Sequence, residues 1–501
     1  MTLSSSREFL SNRRTLWVVS GVSLLLFLIT NLPWQLDDYD QGLQALTSLE
    51  MIKEGHWFYQ RTPHELIAQK PPLIGWASAG VFAVTRSWDA AWRLPSLLSA
   101  VAMAIVLFRA ATAAYGTMAG LLALSAFSLN LLSVRLATLV RTDMPLGFVI
   151  FLLGLLIWQK IREGQPWEAR DRLVLFLLLT GSMLIKGPIV YAFLLPGIVV
   201  FEWRWRKEKI VHAWCGWWPW LASLAVFLVW VIGGILTVPG FYDHVVVREF
   251  LGRFSETIHR PQPVYYYLPH LLHKFAPWRI LMIAIAVLSV RRSRLGMREA
   301  LRQTSPDMFW LLCWSLGGVI LMSVVPSKRV DRIFPVIPPL CLLLGAQVAR
   351  SLTNERLRHQ VSQWSAGALF FAFFFTGGYT LWKVVPGYRD HRDALARFGR
   401  AVRNECLAHH WRYEAISPSV GGNGMLPYLE KTHFIEPDEA KKEWNSGAVD
   451  ALVVPTADAP RWKRELRNVS LSPLRSGKRK SERGKGYTLL MRADATRFPA
   501  P

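Results

Sequence analysis

The sequence contains little charge for its length, and few cysteines. Of its 501 residues only 19% are charged, whereas soluble domains carry about 25%. The four cysteines (Cys215, Cys313, Cys341 and Cys406) show neither the paired spacing of a zinc site nor a readable disulfide framework. No internal repeat is visible either. These shortages exclude an ordinary soluble domain, a disulfide-stapled scaffold and a cysteine-based metal domain.

Long apolar runs are abundant instead. Hydrophobic residues make up 52% of the chain, and several runs of about twenty residues have the length that a helix needs to cross a bilayer. The segment 72–86 is short for a crossing, so we predict 11–13 transmembrane helices. The predicted segments are 15–36, 72–86, 95–114, 117–134, 144–159, 173–185, 188–202, 214–238, 270–290, 306–325, 333–349 and 364–385.

The excess of positive charge, +23 in total, has a membrane explanation. Lys and Arg gather in the short connections between apolar segments, as in cytoplasmic loops, and this distribution argues against a nucleic-acid partner. Fixing these connections inside predicts a cytoplasmic N-terminus, two outer loops (37–71 and 239–269) and an outer tail. The first apolar run is too long for a signal peptide, so we predict a retained helix.

The tail differs in character from the rest. We predict a transmembrane domain over 1–385 and a soluble domain over 386–501. Ala448–Val454 and Tyr487–Met491 have the composition of strands, which favours a small α/β domain. The basic, Ser- and Gly-rich stretch 474–486 is typical of a mobile loop.

The first outer loop combines acids with a lysine at the point of membrane re-entry. Asp37, Asp38 and Asp40 precede Gln69-Lys70-Pro71-Pro72. A carboxylate there can accept a proton or hold a cation, and Lys70 can neutralise a lipid phosphate. The alternative is a solvated loop whose lysine only anchors a helix end.

Three further positions carry charge beside apolar sequence. Asp143 precedes a helix and is either a catalytic acid or an N-cap. Lys186 lies at a helix break, where such residues usually face a polar cavity. The turn 326–332 is predicted outside, against the orientation rule, so its cations either bind an anion or pair with Asp331. Those cations are Lys328, Arg329 and Arg332.

Together these motifs resemble the polyprenyl-phosphate-dependent glycosyltransferases, the family of protein O-mannosyltransferases and of the bacterial aminoarabinose transferase that acts on lipid A. The ordered motifs are Asp40-Gln41, Leu49 to Trp57, Gln69 to Leu73, Trp92 to Ser96, Asp143, Lys186-Gly187-Pro188, Gly252 to Trp278, Ser327 to Arg329 and Pro335 to Pro339.

The resemblance implies a GT-C fold: mainly α, polytopic, with a small extracytoplasmic α/β domain, in the bacterial inner membrane. It implies Asp40 and Asp143 as catalytic residues and Lys70 as the phosphate contact. The residues that it implies for substrate or phosphate binding are Lys70, Gln69, Lys186, Arg253, His259, Tyr266, Lys328, Arg329 and Arg332.

Two departures from the family pattern concern a cofactor. Gln41 and Gln69 stand where the family has acids, and amide oxygens bind cations more weakly than carboxylates do. We therefore expect that no cofactor is required. A divalent cation (Mg, Mn or Zn) on Asp40 is the alternative.

The predicted function is inverting transfer of a sugar from a polyprenyl-phosphate carrier to an envelope acceptor, which is a lipid, a glycan or a protein. The expected partners are that donor, that acceptor and the bilayer. A transporter or flippase of a lipid-linked substrate is the alternative, but it calls for inverted repeats. The sequence names neither sugar nor acceptor.

Overall fold

The computed structural model describes residues 8–493 except 38–39, 65–66, 209, 254–260, 294–298, 300–301, 419–421 and 477–485. The chain is mainly helical. Its helices are, in chain order, α1 (Arg13–Ile29), α2 (Asp40–Lys53), α3 (Leu73–Thr85), α4 (Trp88–Tyr115), α5 (Thr117–Ser128), α6 (Leu131–Leu136), α7 (Asp143–Glu163), α8 (Ala169–Lys186), α9 (Ile189–Trp205), α10 (Trp218–Thr237), α11 (Tyr267–Lys274), α12 (Trp278–Ser293), α13 (Pro306–Val324), α14 (Ile337–Leu352), α15 (Glu355–Arg389), α16 (Ala394–Ala408), α17 (Leu426–Leu429), α18 (Pro437–Ser446) and α19 (Ala459–Glu465).

The chain divides into two compact units. The first, the helical unit, comprises residues 1–30, 69–73 and 93–381. The second, the loop–tail unit, comprises residues 31–68, 74–92 and 382–501. The loop–tail unit thus holds most of the first long loop together with the tail. The predicted division into 1–385 and 386–501 stays a prediction.

Six helices among the described residues are long and apolar enough to cross a membrane, or seven if a pair bent by 100° at residues 275–277 is one span. The chain is therefore a multi-pass membrane protein. This number is below the predicted 11–13 because other apolar helices are shorter or charged. Helices α1 and α9 have 17 residues each, and α8 carries charges in its first turn. Helix α3, with 13 residues, reaches only about 20 Å, as expected for the short segment 72–86.

Close packing of the helical unit depends on glycines. A methyl group at Gly197 of α9 would lie 3.0 Å from the carbonyl oxygen of Cys313, and one at Gly317 would lie 2.9 Å from the Gly197 nitrogen. The backbones of α9 and α13 therefore touch. Small residues at such crossings are typical of helix pairs in membranes, where dispersion contacts replace the hydrophobic driving force.

A four-stranded sheet forms the centre of the tail. Its order is β1 (Tyr413–Ala415), β2 (Ala451–Pro455), β4 (Tyr487–Arg492) and β3 (Val469–Arg475), with β1 parallel to β2 and the other pairs antiparallel. The two strands predicted from sequence, β2 and β4, are neighbours and are buried along nearly their whole length. The predicted mobile loop falls largely on residues 477–485, outside the described residues.

The first long loop is fastened to the tail inside the loop–tail unit. Lys53 at the end of α2 donates to the Glu430 carbonyl oxygen at 2.8 Å, and the Thr432 hydroxyl donates to the Glu54 carboxylate at 2.8 Å. The Leu36 amide, before α2, donates to the Tyr428 hydroxyl at 2.9 Å. The loop and the tail therefore fold as one body.

Candidate active site

The helical unit holds a buried ion pair at two helix ends. Lys186 is the last residue of α8, where Gly187 (φ +72°) ends the helix, and Asp143 is the first residue of α7. The Lys186 Nζ lies 2.6 Å from the Asp143 Oδ1, and the two side chains are 15% and 9% exposed. Each charge has the sign that its helix end favours. Asp143 thus pairs with the predicted lysine rather than serving as an N-cap.

A second carboxylate, Asp331, is surrounded by arginines. The Arg141 Nη1 lies 2.6 Å from one of its oxygens, the Arg135 Nη1 lies 3.3 Å from the other, and the Arg329 guanidinium is 4.0 Å away. Arg141 also acts electrostatically on Asp143, as does Lys70. The two carboxylates and five cations carry a formal charge of +3. This group, the cationic cluster, comprises Lys70, Arg135, Arg141, Asp143, Lys186, Arg329 and Asp331.

The segment before Asp143 is held in place by the start of α4. Arg93 donates to the Thr138 carbonyl oxygen at 3.0 Å, and the Ser96 hydroxyl donates to the carbonyl oxygens of Leu139 at 2.8 Å and Arg141 at 3.3 Å. The Arg-Leu-Pro-Ser motif therefore fixes the backbone that carries Arg141. The sequence analysis missed Arg135 and Arg141 as site residues, although Arg141 stands only two residues before Asp143.

Two cations of the turn 326–332, Lys328 and Arg332, donate hydrogen bonds to backbone carbonyl oxygens. Lys328 donates to the Gln262 carbonyl oxygen at 2.8 Å, and burial lowers the pKa of its ammonium group. Arg332 donates to the Ser327 carbonyl oxygen at 2.6 Å. The Arg332 contact closes the turn and the Lys328 contact ties the turn to Gln262, whereas Arg329 faces Asp331 in the cationic cluster.

The loop–tail unit holds the other predicted acid. Asp40 is the first residue of α2. The Asp37 carboxylate accepts hydrogen bonds from the Gln41 backbone N–H at 2.8 Å and from the Gln41 side-chain Nε2 at 3.1 Å. The Asp37 backbone carbonyl oxygen accepts from the Gly42 backbone N–H at 2.9 Å. Asp37 is therefore committed to holding the start of α2. Gln41 has to be an amide for this arrangement, because a carboxylate there could not donate to Asp37.

The remaining predicted residues have various placements. Gln69 and Lys70 are half-buried at the bend before α3. The Tyr266 ring lies 4.5 Å from the His270 ring. Arg253 ends a 3-10 turn, Leu251–Arg253, and His259 lies outside the described residues. Asp40 and Asp143 belong to different compact units, so their meeting stays a prediction.

Among the described residues, no group of three His, Cys, Asp or Glu side chains is arranged to hold a metal ion. The carboxylates of the cationic cluster face lysine and arginine, which compete with a cation for the same oxygens. The cluster as a whole therefore suits an anion, and a phosphate group is the anion that arginine and lysine commonly hold.

The chain is similar in sequence to several known proteins. The family model of dolichyl-phosphate-mannose-protein mannosyltransferases matches residues 69–232. The undecaprenyl phosphate-alpha-4-amino-4-deoxy-L-arabinose arabinosyl transferase of Yersinia enterocolitica is 26% identical over 79% of this chain and 72% of its own length. Its counterpart in Shewanella sediminis is 28% identical over 35% of this chain. The match spans only 30% of that Shewanella relative, and 60% of the relative from Photorhabdus laumondii.

Solved structures share the fold over nearly the whole chain. ArnT from Cupriavidus metallidurans bound to undecaprenyl phosphate superposes with a TM-score of 0.69 at 17% identity, covering 97% of this chain and 99% of that one. The archaeal oligosaccharyltransferase AglB from Archaeoglobus fulgidus superposes with a TM-score of 0.51 at 12% identity, covering 90% and 70%. The mainly helical GT-C fold predicted from the motifs is confirmed. The chain resembles the polyprenyl-phosphate glycosyltransferases in sequence and shares the GT-C fold with their solved structures.

Proposed function

We propose that this protein moves a sugar from a polyprenyl-phosphate carrier to an envelope acceptor, with inversion at the anomeric carbon. The observation that carries the proposal is the cationic cluster, whose formal charge of +3 is held beside apolar helices. Charged residues beside apolar membrane helices are costly and usually serve a substrate. An amphiphile with an apolar tail and a phosphate head matches both surfaces.

In this mechanism the cations serve the leaving group. The bond between the anomeric carbon and the phosphate oxygen breaks, and negative charge develops on the polyprenyl phosphate. We assign to Lys70, Arg141 and Arg135 the stabilisation of that charge in a partly buried site. The Asp143 carboxylate lies 2.6 Å from the Lys186 ammonium group. We therefore propose that Asp143 positions Lys186 to bind the phosphate.

Asp40 is assigned the acceptor step. The acceptor hydroxyl or amine gives its proton to the Asp40 carboxylate while its oxygen or nitrogen forms the new bond to the anomeric carbon. Asp37 is occupied by Gln41 and Gly42, and Asp40 is the acid of the first outer loop that the resemblance to the glycosyltransferases implies as catalytic. One displacement without a covalent sugar–enzyme intermediate gives inversion.

The proposed setting is the bacterial inner membrane, with a cytoplasmic N-terminus and the loop–tail unit in the periplasm. The basic connections support this orientation. The acceptor is a lipid, a glycan or a protein of the envelope. A transporter without chemistry is less favoured, because the proteins that the chain resembles are transferases.

The test is turnover by purified protein in lipid nanodiscs, supplied with undecaprenyl-phosphate-linked sugars and an envelope extract. The expected result is release of undecaprenyl phosphate, abolished by Lys70→Met and retained by Lys463→Met, which changes an exposed lysine of α19. Sugar translocation without release of undecaprenyl phosphate would support the transporter instead.

A further inference from the structure

A turn of the tail, Gly422 to Gly424, lies against the first turn of α2, the helix that begins at Asp40. A methyl group built at Gly42 would lie 3.0 Å from the Gly424 nitrogen and 3.1 Å from the carbonyl carbon of Asn423. Only a glycine allows this approach. The residue that the turn touches is therefore two positions from the proposed base, in the same helical turn.

The turn is rigidly built. Gly422 adopts a φ of +94°, a conformation that L side chains rarely adopt. A methyl group there would lie 2.7 Å from a Pro418 ring carbon and 2.8 Å from the Tyr487 hydroxyl of β4. The tail thus presents Asn423 from a fixed backbone, which is what a recognition residue requires.

The side-chain oxygen of Asn423 is buried and has no hydrogen-bond partner in the described part of the chain. An unsatisfied buried acceptor is costly and rare in native proteins, and a ligand that supplies the donor explains it. Sugar hydroxyl and amino groups are such donors.

We propose that Asn423 is a specificity-determining residue, whose side-chain oxygen accepts a hydrogen bond from a hydroxyl or amino group of the transferred sugar. This inference rests on the proposed function. It assigns part of the sugar site to the tail.

The experiment compares the nanodisc-embedded wild type with Asn423→Ala, Asn423→Asp and the exposed control Asn445→Ala. Each protein is supplied with undecaprenyl-phosphate-linked mannose and 4-amino-4-deoxy-L-arabinose, and kcat/KM is measured for both, together with the melting temperature. We expect Asn423→Ala to lower kcat/KM for the preferred donor about tenfold without lowering the melting temperature, because its side-chain oxygen bonds to no group of the described residues. Asn423→Asp should shift preference toward the amino sugar, since its added charge favours an ammonium group.

A lower melting temperature with an unchanged ratio of the two kcat/KM values would show a structural role and overturn the inference. So would wild-type values in both Asn423 variants. If Asn423→Ala does not fold, the donor ratio of Asn423→Asp decides alone. Absence of turnover by the wild type on both donors would overturn the proposed function, and the inference with it.

Discussion

Asp143 and Lys186 are opposite charges within an apolar helical unit, and each depends on the other. Their carboxylate and ammonium groups are 2.6 Å apart and mostly buried. A buried charge that loses its partner retains the full cost of desolvation, whereas removing both charges together can be nearly neutral. The pair is therefore a sensitive point for stability as well as for activity.

Lys186→Met is expected to lower the free energy of unfolding by about 3 kcal/mol or more, because Asp143 is left buried and unpaired. The double change Asp143→Asn with Lys186→Met should recover much of this loss. Arg358→Met, which breaks an exposed pair with Glu355, is the control and should cost less than about 1 kcal/mol. Equal effects of the two single changes, measured by unfolding in detergent, would contradict a buried pair.

Gln41 and Gln69 are the two residues that decide whether the protein is expected to use a metal ion. The side-chain amide of Gln41 donates to the Asp37 carboxylate at 3.1 Å, so Asp37, an acid near Asp40, is already hydrogen-bonded within the protein. We therefore expect transfer to continue at its full rate after exhaustive chelation with EDTA. A rate lost on chelation and restored by zinc or magnesium would reassign Asp40 as a metal ligand.

At the scale of helices, the contact between α9 and α13 depends on Gly197 and Gly317. Gly197→Val is expected to cost about 1–3 kcal/mol, since a side chain there meets backbone that cannot move aside. Gly367→Val in α15 is the matched control, because a methyl group at Gly367 meets nothing within 4 Å. Indistinguishable thermal unfolding of the two variants would show that the helices are not in contact at this point.

The sequence predicted most helices but not the relations among them. Apolar runs located α4, α7, α10, α13 and α15, because a membrane helix is a local pattern of composition. The sequence did not predict the pairing of Asp331 with Arg135 and Arg141, because these residues are about 190 positions apart in the chain. The attachment of the first long loop to the tail was not predicted for the same reason. Asp143 and Lys186 were each predicted as site residues, but the sequence did not predict that they form an ion pair.

At the scale of the whole molecule, the tail is a structural partner of the first long loop. Lys53, Glu54 and Leu36 of the loop region bind Glu430, Thr432 and Tyr428 of the tail. The ion pair between Arg400 and Asp89, at 2.6 Å, adds a further tie. Function in the loop is thus expected to depend on the tail.

A chain truncated after Arg392 tests this dependence. Without Glu430, Lys53 loses its hydrogen-bonded partner, so trypsin should cut after Lys53 faster in the truncated protein than in the full chain. Cleavage after the exposed Lys207 of the helical unit serves as the internal reference. An unchanged ratio of the two cleavage rates would mean that the loop folds without the tail.

The central claim is that a carboxylate at the start of α2 drives transfer of a polyprenyl-phosphate-linked sugar. The most direct measurement compares sugar transfer by the wild type and by Asp40→Asn in nanodiscs, alongside binding of undecaprenyl phosphate. The account predicts that Asp40→Asn loses transfer at least about a hundredfold, as expected for a general base, while it binds undecaprenyl phosphate as the wild type does. Near-normal transfer by Asp40→Asn would contradict the account.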